Sequence, residues 1–244
     1  MVESLVIIPT YNEIENIQRM LDSVMDLEPP FHVLIVDDGS PDGTADVVKT
    51  AQKQNPERIH LLERSGKLGL GTAYIAGFRW ALERKYELVY EMDCDFSHTP
   101  QDLVRLREAC KSGADVAVGS RYVSGGKVSN WPLGRILMSY FASVYVNTIL
   151  WLGVRDSTAG FKCYRADVLD RIDLNRIRFI GYAFQIEMKY NAHRLGFRIV
   201  EVPITFADRE FGTSKMSMNI FREAFLGVLQ MRFRPIRPNP NAKK

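Results

Sequence analysis

The chain has 244 residues, 46% of them hydrophobic and 25% charged, with a formal net charge of +3. That length supports one large domain, and so even a charge excludes a nucleic-acid binder, which needs a large basic excess or a basic stripe. Cys94, Cys110 and Cys163 are odd in number and widely spaced, so neither a disulfide framework nor a zinc pattern follows and a reducing compartment is expected.

From the N-terminus, Leu5-Val6-Ile7-Ile8 is an apolar run without a basic leader, a buried strand rather than a signal peptide. Residues 13–27 set Ile14, Ile17, Leu21, Val24 and Leu27 on one helix face. Val33-Leu34-Ile35-Val36 is a second strand, residues 37–43 are dense in turn formers, and a helix runs from Thr44. Ile59-His60-Leu61-Leu62 is a third strand; residues 66–71 form a glycine-bearing turn that leads a helix over 72–84. Residues 88–92 are a fourth strand ending at Asp93, Pro100 opens a helix at its favoured first position, and Val116-Ala117-Val118-Gly119 is a fifth strand. This alternation predicts an α/β fold with a mainly parallel open sheet and helices on both faces. Such sheets bind ligands at the carboxyl ends of their strands. Thr10-Tyr11-Asn12-Glu13, Asp37-Asp38, Asp93-Cys94-Asp95 and Arg121 all fall there.

Beyond Gly125 the alternation lapses. Residues 136–154 carry no charge, lie between Arg135 and Arg155, and have the length of a membrane span. Ser139, Tyr140, Ser143, Tyr145, Asn147 and Thr148 favour instead a helix lying on the protein or in the membrane interface. Residues 156–164 read as a turn and short strand, 182–195 as a helix, 198–202 as a strand closed by Pro203, and 208–215 as a polar loop. Residues 217–232 are amphipathic, with Phe221, Phe225, Val228 and Leu229 on one face. One domain is therefore expected over 1–232, with interfacial helices near 133–153 and 217–232, and a basic flexible tail over 233–244.

Alternate residues of an extended turn send two carboxylates toward one hard cation, which makes Asp93 and Asp95 candidate ligands. Mg²⁺ or Mn²⁺ takes oxygen ligands and keeps waters and substrate phosphates in its shell. Cys94 suits a small filler better than a ligand, since thiolates prefer softer metals. Acids at Asp37-Asp38 suit a base or ribose; helix capping by Asp42 or Thr44, with an Asx turn at Asp37, accounts for the same string. Tyr11 offers a ring to a base, and a cap around Asn12 explains that segment equally well. Residues 66–71 lack the ending of a phosphate-binding loop. Arg121, Arg135, Arg209 and Lys215 are the cations available to phosphates. His98 and His193 have no matching partners, and no nucleophile–base motif supports a hydrolase.

The strings Pro9-Thr10-Tyr11-Asn12-Glu13, Val36-Asp37-Asp38-Gly39-Ser40, Met92-Asp93-Cys94-Asp95-Phe96-Ser97-His98, Gly119-Ser120-Arg121-Tyr122, Phe184-Gln185-Ile186-Glu187-Met188 and Asp208-Arg209-Glu210-Phe211-Gly212-Thr213-Ser214-Lys215 together resemble the dolichyl-phosphate (polyprenyl-phosphate) mannosyltransferase group of glycosyltransferase family 2, over residues 4–230. The resemblance implies a GT-A fold and inverting transfer of mannose from GDP-mannose to a polyprenyl phosphate. It implies that Pro9, Tyr11, Glu13, Val36 and Asp38 hold the guanosine part. Asp93 and Asp95 would bind Mg²⁺ or Mn²⁺ and the diphosphate, with Cys94 at a backbone-contact position. Arg121, Arg209 and Lys215 would meet donor or acceptor phosphates and, with Asp95, make up the catalytic set. Arg135 and Ser139, one helical turn apart, would face the lipid phosphate.

Where the family often reads Ser-Arg-Gly-Ala-Asn, this chain has Ser139-Tyr140-Phe141-Ala142-Ser143, so one acceptor-side cation is absent. Many relatives carry C-terminal membrane spans and none is read here; contact with the cytoplasmic face of a membrane is expected through amphipathic helices, the basic tail or an anchoring partner subunit. A single span over 136–154 would put Asp93 and Arg209 on opposite sides of the bilayer, where they cannot share a site. A phosphate monoester, with a second pKa of ~6, is already dianionic at neutral pH and needs no protein base. A sugar hydroxyl does need one, and Asp156 is the candidate if the acceptor is a hydroxyl. A UDP-sugar donor and a catalytically dead nucleotide-binding subunit are two further readings of the same residues.

Overall fold

The computed structural model describes residues 3–208 and 218–242. Strands Ser4–Thr10 (β1), His32–Asp37 (β2), Ile59–Glu63 (β3), Leu88–Glu91 (β4) and Val116–Ser120 (β5) follow the predicted order. Lys127–Val128 (β6), Lys162–Arg165 (β7), Ile199–Pro203 (β8) and Thr205–Phe206 (β9) come later. The main sheet has seven strands in the order β3-β2-β1-β4-β7-β5-β8, and β6 pairs with β9 in a small parallel sheet.

Helices Ile17–Met25 (α1), Thr44–Gln54 (α2) and Asp102–Lys111 (α4) cover one face; Leu70–Glu83 (α3), Ala166–Arg171 (α6) and Tyr182–Arg194 (α7) cover the other. Val6 and Ile8 of β1 pack with α1, and Leu5 and Ile7 pack with α3. This is the period-two alternation of a strand buried on both sides. Each such aliphatic side chain contributes about 1.5–3 kcal/mol relative to exposure. Helix α1 starts later than expected. Asn12 takes a left-handed φ of 58°, and the Glu13 carbonyl accepts from Asn16 N and Ile17 N in a turn. Ile14 is consequently 41% exposed instead of joining the core.

The short strand expected near residue 164 has a place that its own residues do not specify. It is β7, inserted between β4 and β5 and antiparallel to both. An antiparallel strand begins where its neighbours end. Residues 156–160, just before β7, are thereby delivered to the carboxyl ends of β4 and β5.

Helix Leu133–Leu150 (α5) and helix Met218–Phe233 (α8) lie beside α7, joined by Val146, Leu150, Ile186, Tyr190, Val228 and Met231. Among the described residues α5 is the one helix long and apolar enough to cross a membrane, and only 17% of it is buried. Leu133, Leu137, Met138, Phe141 and Val144 of α5, with Trp151 just beyond it, are exposed, as are Phe225, Leu226 and Phe233 of α8. The tail expected to be flexible over 233–244 is, in its part described to residue 242, fastened to α6. Asn239 N donates to the Arg171 carbonyl at 2.8 Å, its Nδ2 to the Asp170 carbonyl at 2.9 Å, and Pro238 bridges Ile172. Prolines suit such an extended path because φ is preset.

Candidate active site

The strand ends gather three groups of residues. At the ends of β1 and β2, Asp37 is a turn residue: Thr10 Oγ1 donates to its Oδ2 at 2.8 Å, and Ser40 N to its Oδ1 at 2.9 Å. Asp42 accepts from Thr44 N, at the start of α2, at 3.0 Å and also ties Ile14 N at 3.0 Å. Burial would raise its carboxyl, but the Thr44 and Ile14 hydrogen bonds hold it below its ordinary value. The turn account therefore holds for Asp37, whereas the N-cap of α2 is Gly43, and Asp42, the residue just before it, secures Thr44. Asp38 is paired with Arg64 at 2.6 Å, and Arg64 Nη1 donates to Thr72 Oγ1 at 2.8 Å. Arg64 is absent from the sequence-derived set, although it follows directly from the end of β3. The Lys67 ammonium lies 4.9 Å from the Tyr11 ring centroid. Glu13 accepts from Asn16 Nδ2 at 3.0 Å. The Val36 side chain is fully buried in the core under α3, in register with Pro9, so only its backbone can meet a ligand.

After β4, Phe96 takes a φ of 55° and turns the chain. Tyr74 OH donates to Asp93 Oδ1 at 3.4 Å, and Ser97 N to Asp95 Oδ1 at 3.1 Å. Cys94 points into the core, where burial, then Glu13 and the flanking aspartates, pushes its thiol well up and keeps it protonated. Two carboxylates without a thiolate or imidazole are the donor set of a hard divalent cation whose shell is completed by a diphosphate. Among the described residues, no group of three or more His, Cys, Asp or Glu side chains offers a cage for a metal held by protein alone. The residues present therefore fit Mg²⁺ or Mn²⁺ shared with substrate. His98 is packed between Phe161 and Phe206, at 4.9 and 5.0 Å between ring centroids, and burial pushes its pKa down to about 4.

Beneath this turn, Glu91 and Lys162 form a buried pair at 3.1 Å, and Tyr164 OH donates to Glu91 at 3.0 Å. Lys162 also donates to Gln185, and Lys189 Nζ donates to the Ala159 carbonyl at 2.6 Å. Sequence reasoning missed both lysines; no local pattern marks a cation that β7 and α7 bury.

The third group lies past β5. Asp156 binds Arg121 from three donors: backbone N at 2.9 Å, Nε at 2.7 Å and Nη2 at 2.6 Å. The Arg121 side chain is 8% exposed and that of Asp156 is fully buried. Burial alone would raise Asp156, but the Arg121 hydrogen bonds and charge override it and hold the carboxyl below the ordinary range. Glu201 of β8 accepts Asp156 N at 2.9 Å and Arg155 N at 2.8 Å, fixing the turn that carries Asp156. Arg135 of α5 pairs with Asp208 at 3.0 Å, and its guanidinium lies 3.8 Å from the Trp131 ring centroid. Ser139 follows one turn later. Arg209 and Lys215 lie outside the described residues.

Residues 5–173 match the Glycosyl transferase family 2 profile. The chain belongs to glycosyltransferase family 2. Within that family it is 48% identical over 227 residues to a polyprenol monophosphomannose synthase of Mycolicibacterium smegmatis, covering 93% of this chain and 86% of the relative. It is 52% identical over 224 residues to an undecaprenyl-phosphate mannosyltransferase of Micrococcus luteus, covering 92% and 91%. Glucosyl-3-phosphoglycerate synthase of Mycobacterium tuberculosis, solved with Mn²⁺, UDP and glucosyl-3-phosphoglycerate, superposes with a TM-score of 0.70 at 16% identity, over 96% of this chain and 81% of that one. A complex of the same synthase with Mg²⁺ and UDP also gives 0.70 at 16% identity, over 96% and 80%. The family 2 chain is thus a glycosyltransferase with the GT-A fold that its sequence resemblance implies, and its sheet is mainly parallel as expected.

Proposed function

We propose that this family 2 enzyme transfers mannose from GDP-mannose to a polyprenyl phosphate with inversion, giving polyprenyl-phosphate mannose. The names of the two relatives near 50% identity support the product class. The observation that carries the acceptor is the state of Asp156. The candidate base for a hydroxyl acceptor is bound by three N–H groups of Arg121 and held ionised, so its oxygens are engaged before any substrate proton arrives. A dianionic phosphate needs no base, only cations to position it, and Arg121 and Arg135 stand on that side with Ser139. Arg209 and Lys215 would meet the donor or acceptor phosphates.

On the donor side, Tyr11, Glu13 and Asp38 hold the nucleoside, with Pro9, Val36 and Cys94 offering backbone. Asp93 and Asp95 would hold Mg²⁺ or Mn²⁺, which supplies charge stabilisation to the departing diphosphate. Tyr74 and Ser97 N orient those two carboxylates. Arg121, positioned before substrate arrives, stabilises negative charge without reorganisation. The exposed apolar faces of α5 and α8 are read as the surface that lies in the headgroup region of a cytoplasmic membrane leaflet, so that Arg135 and Ser139 meet the lipid phosphate at the interface.

Incubation with Mg²⁺, polyprenyl phosphate and radiolabelled GDP-mannose, UDP-glucose or UDP-N-acetylglucosamine tests this. Organic-extractable label is expected from GDP-mannose alone. Label from a UDP-sugar instead replaces the donor, and label in a water-soluble glycoside replaces the acceptor.

A further inference from the structure

The Trp131 ring lies beside both described arginines of the acceptor side. The Arg135 guanidinium lies 3.8 Å from its ring centroid and that of Arg121 lies 5.6 Å away. The ring is braced edge-on by Phe206, at 5.2 Å between centroids and 71° between planes. Phe206 is itself 5.4 Å from the Arg121 guanidinium. The Trp131 indole nitrogen is buried and finds no hydrogen-bond partner among the described residues. A buried indole N–H ordinarily finds an acceptor, and an orphan donor beside two guanidiniums calls for an anion with several oxygens.

Two cations held close repel one another. A shared aromatic face offsets that repulsion, and does so more strongly where water is excluded. Each guanidinium also keeps one carboxylate, Asp156 for Arg121 and Asp208 for Arg135, with Asp208 the more exposed at 43%. Arg135 is accordingly the arginine that an incoming phosphate can draw from its partner, while the indole keeps it in place.

We propose that Trp131 is the positioning residue of the acceptor site: its ring holds Arg121 and Arg135 as a pair for one phosphate monoester, and its N–H adds a third donor. The proposal rests on the reading of a lipid phosphate as acceptor. A donor diphosphate shares the same chemistry, and the two Michaelis constants separate these sources.

The experiment is steady-state transfer with GDP-mannose and polyprenyl phosphate varied in turn, for Trp131→Leu, Trp131→Phe and Arg135→Ala. Trp131→Leu removes both ring and donor, and raises the acceptor KM roughly tenfold. Trp131→Phe keeps a weaker face without the N–H and raises it about threefold. In Trp131→Phe, which keeps an aromatic ring beside Arg121, the kcat and the GDP-mannose KM stay within about twofold, a split that a general loss of structure does not produce. An unchanged acceptor KM in Trp131→Phe overturns the proposal, even if Trp131→Leu fails to fold. An equal rise in both Michaelis constants, or a rise in that for GDP-mannose alone, also overturns it. If Arg135→Ala raises the acceptor KM while the Trp131 variants do not, Trp131 alone is misassigned. If Arg135→Ala has no effect, the acceptor site itself is elsewhere and the proposal falls with it.

Discussion

At the residue scale, charge placement decides the chemistry. Asp95→Ala is expected to reduce transfer by more than about a hundredfold, since it removes one of two candidate ligands outright, where losing a supporting group costs about 10–100-fold. Unchanged turnover would refute its metal role. Asp156→Asn leaves a buried guanidinium without its counter-charge, and stability is expected to fall by about 3 kcal/mol, read by urea denaturation. Stability equal to the parent would mean that Arg121 finds another anion. His32 makes the fold sensitive to acid. Burial, aided by the charges of His60 and Arg58, lowers its pKa from 6.5 to about 4. Its folded form thus favours the neutral ring that contacts Tyr86 OH at 2.9 Å. Above pH 6.5 both states are neutral and nothing is lost; between 6.5 and about 4 the unfolded chain takes up the proton and stability declines. Replacing His32 with Asn should flatten this part of a stability–pH profile, and an unaltered slope would assign the decline to other groups.

At the element scale, legibility follows local periodicity. β1, β2, β4 and β5 are readable because a strand buried on both faces is a continuous apolar run, and α1 because a helix repeats its apolar face, here Ile17, Met20, Leu21 and Val24. The position of β7 is not. Its Lys162-Cys163-Tyr164-Arg165 alternates nothing that specifies a direction, and the antiparallel insertion follows from pairing with Glu91 and Val118, far away in sequence. For the same reason Asp156 reads from sequence as a candidate base, whereas the fold makes it a counter-ion. Its acidity is visible in the chain, but the arginine across from it is not. Gly126 shows how tightly β6 approaches this region. A Cβ there would lie 2.7 Å from the carbonyl oxygens of Ser120 and Arg121, which are backbone and cannot move aside. Gly126→Ala should therefore cost about 1–3 kcal/mol and lower transfer together, by displacing Arg121. A loss of stability with full activity would separate the loop from the site.

At the scale of the whole molecule, α5 and α8 place one apolar flank beside the proposed acceptor residues, packed on α7 through a shared cluster. On the proposed interfacial reading, such a helix leaves the bilayer when charge and pH are changed. The protein is expected to be extracted from membranes by carbonate or high salt; a need for detergent would instead mean that α5 spans. Length and hydropathy alone do not decide between these, because an interfacial helix and a span share both and α5 is only 17% buried, so the extraction is the deciding measurement. The pairing of Arg121 with Asp156 has a further consequence. The two residues are 35 apart in sequence, and everything between them, β6 and α5 included, leaves and returns at a single point. The ion pair is the clasp of a cassette. Because the ends are pinned, and loop-closure cost grows only slowly with length, the insert can change in length and composition away from the β6–β9 pairing and the packing of α5 on α7 and α8, while the rest of the sheet stays as it is. On the proposed reading, in which Arg135 and Ser139 of this insert meet the lipid phosphate, a change of acceptor can then be made within the insert while the residues at the ends of β1, β2 and β4 stay in place.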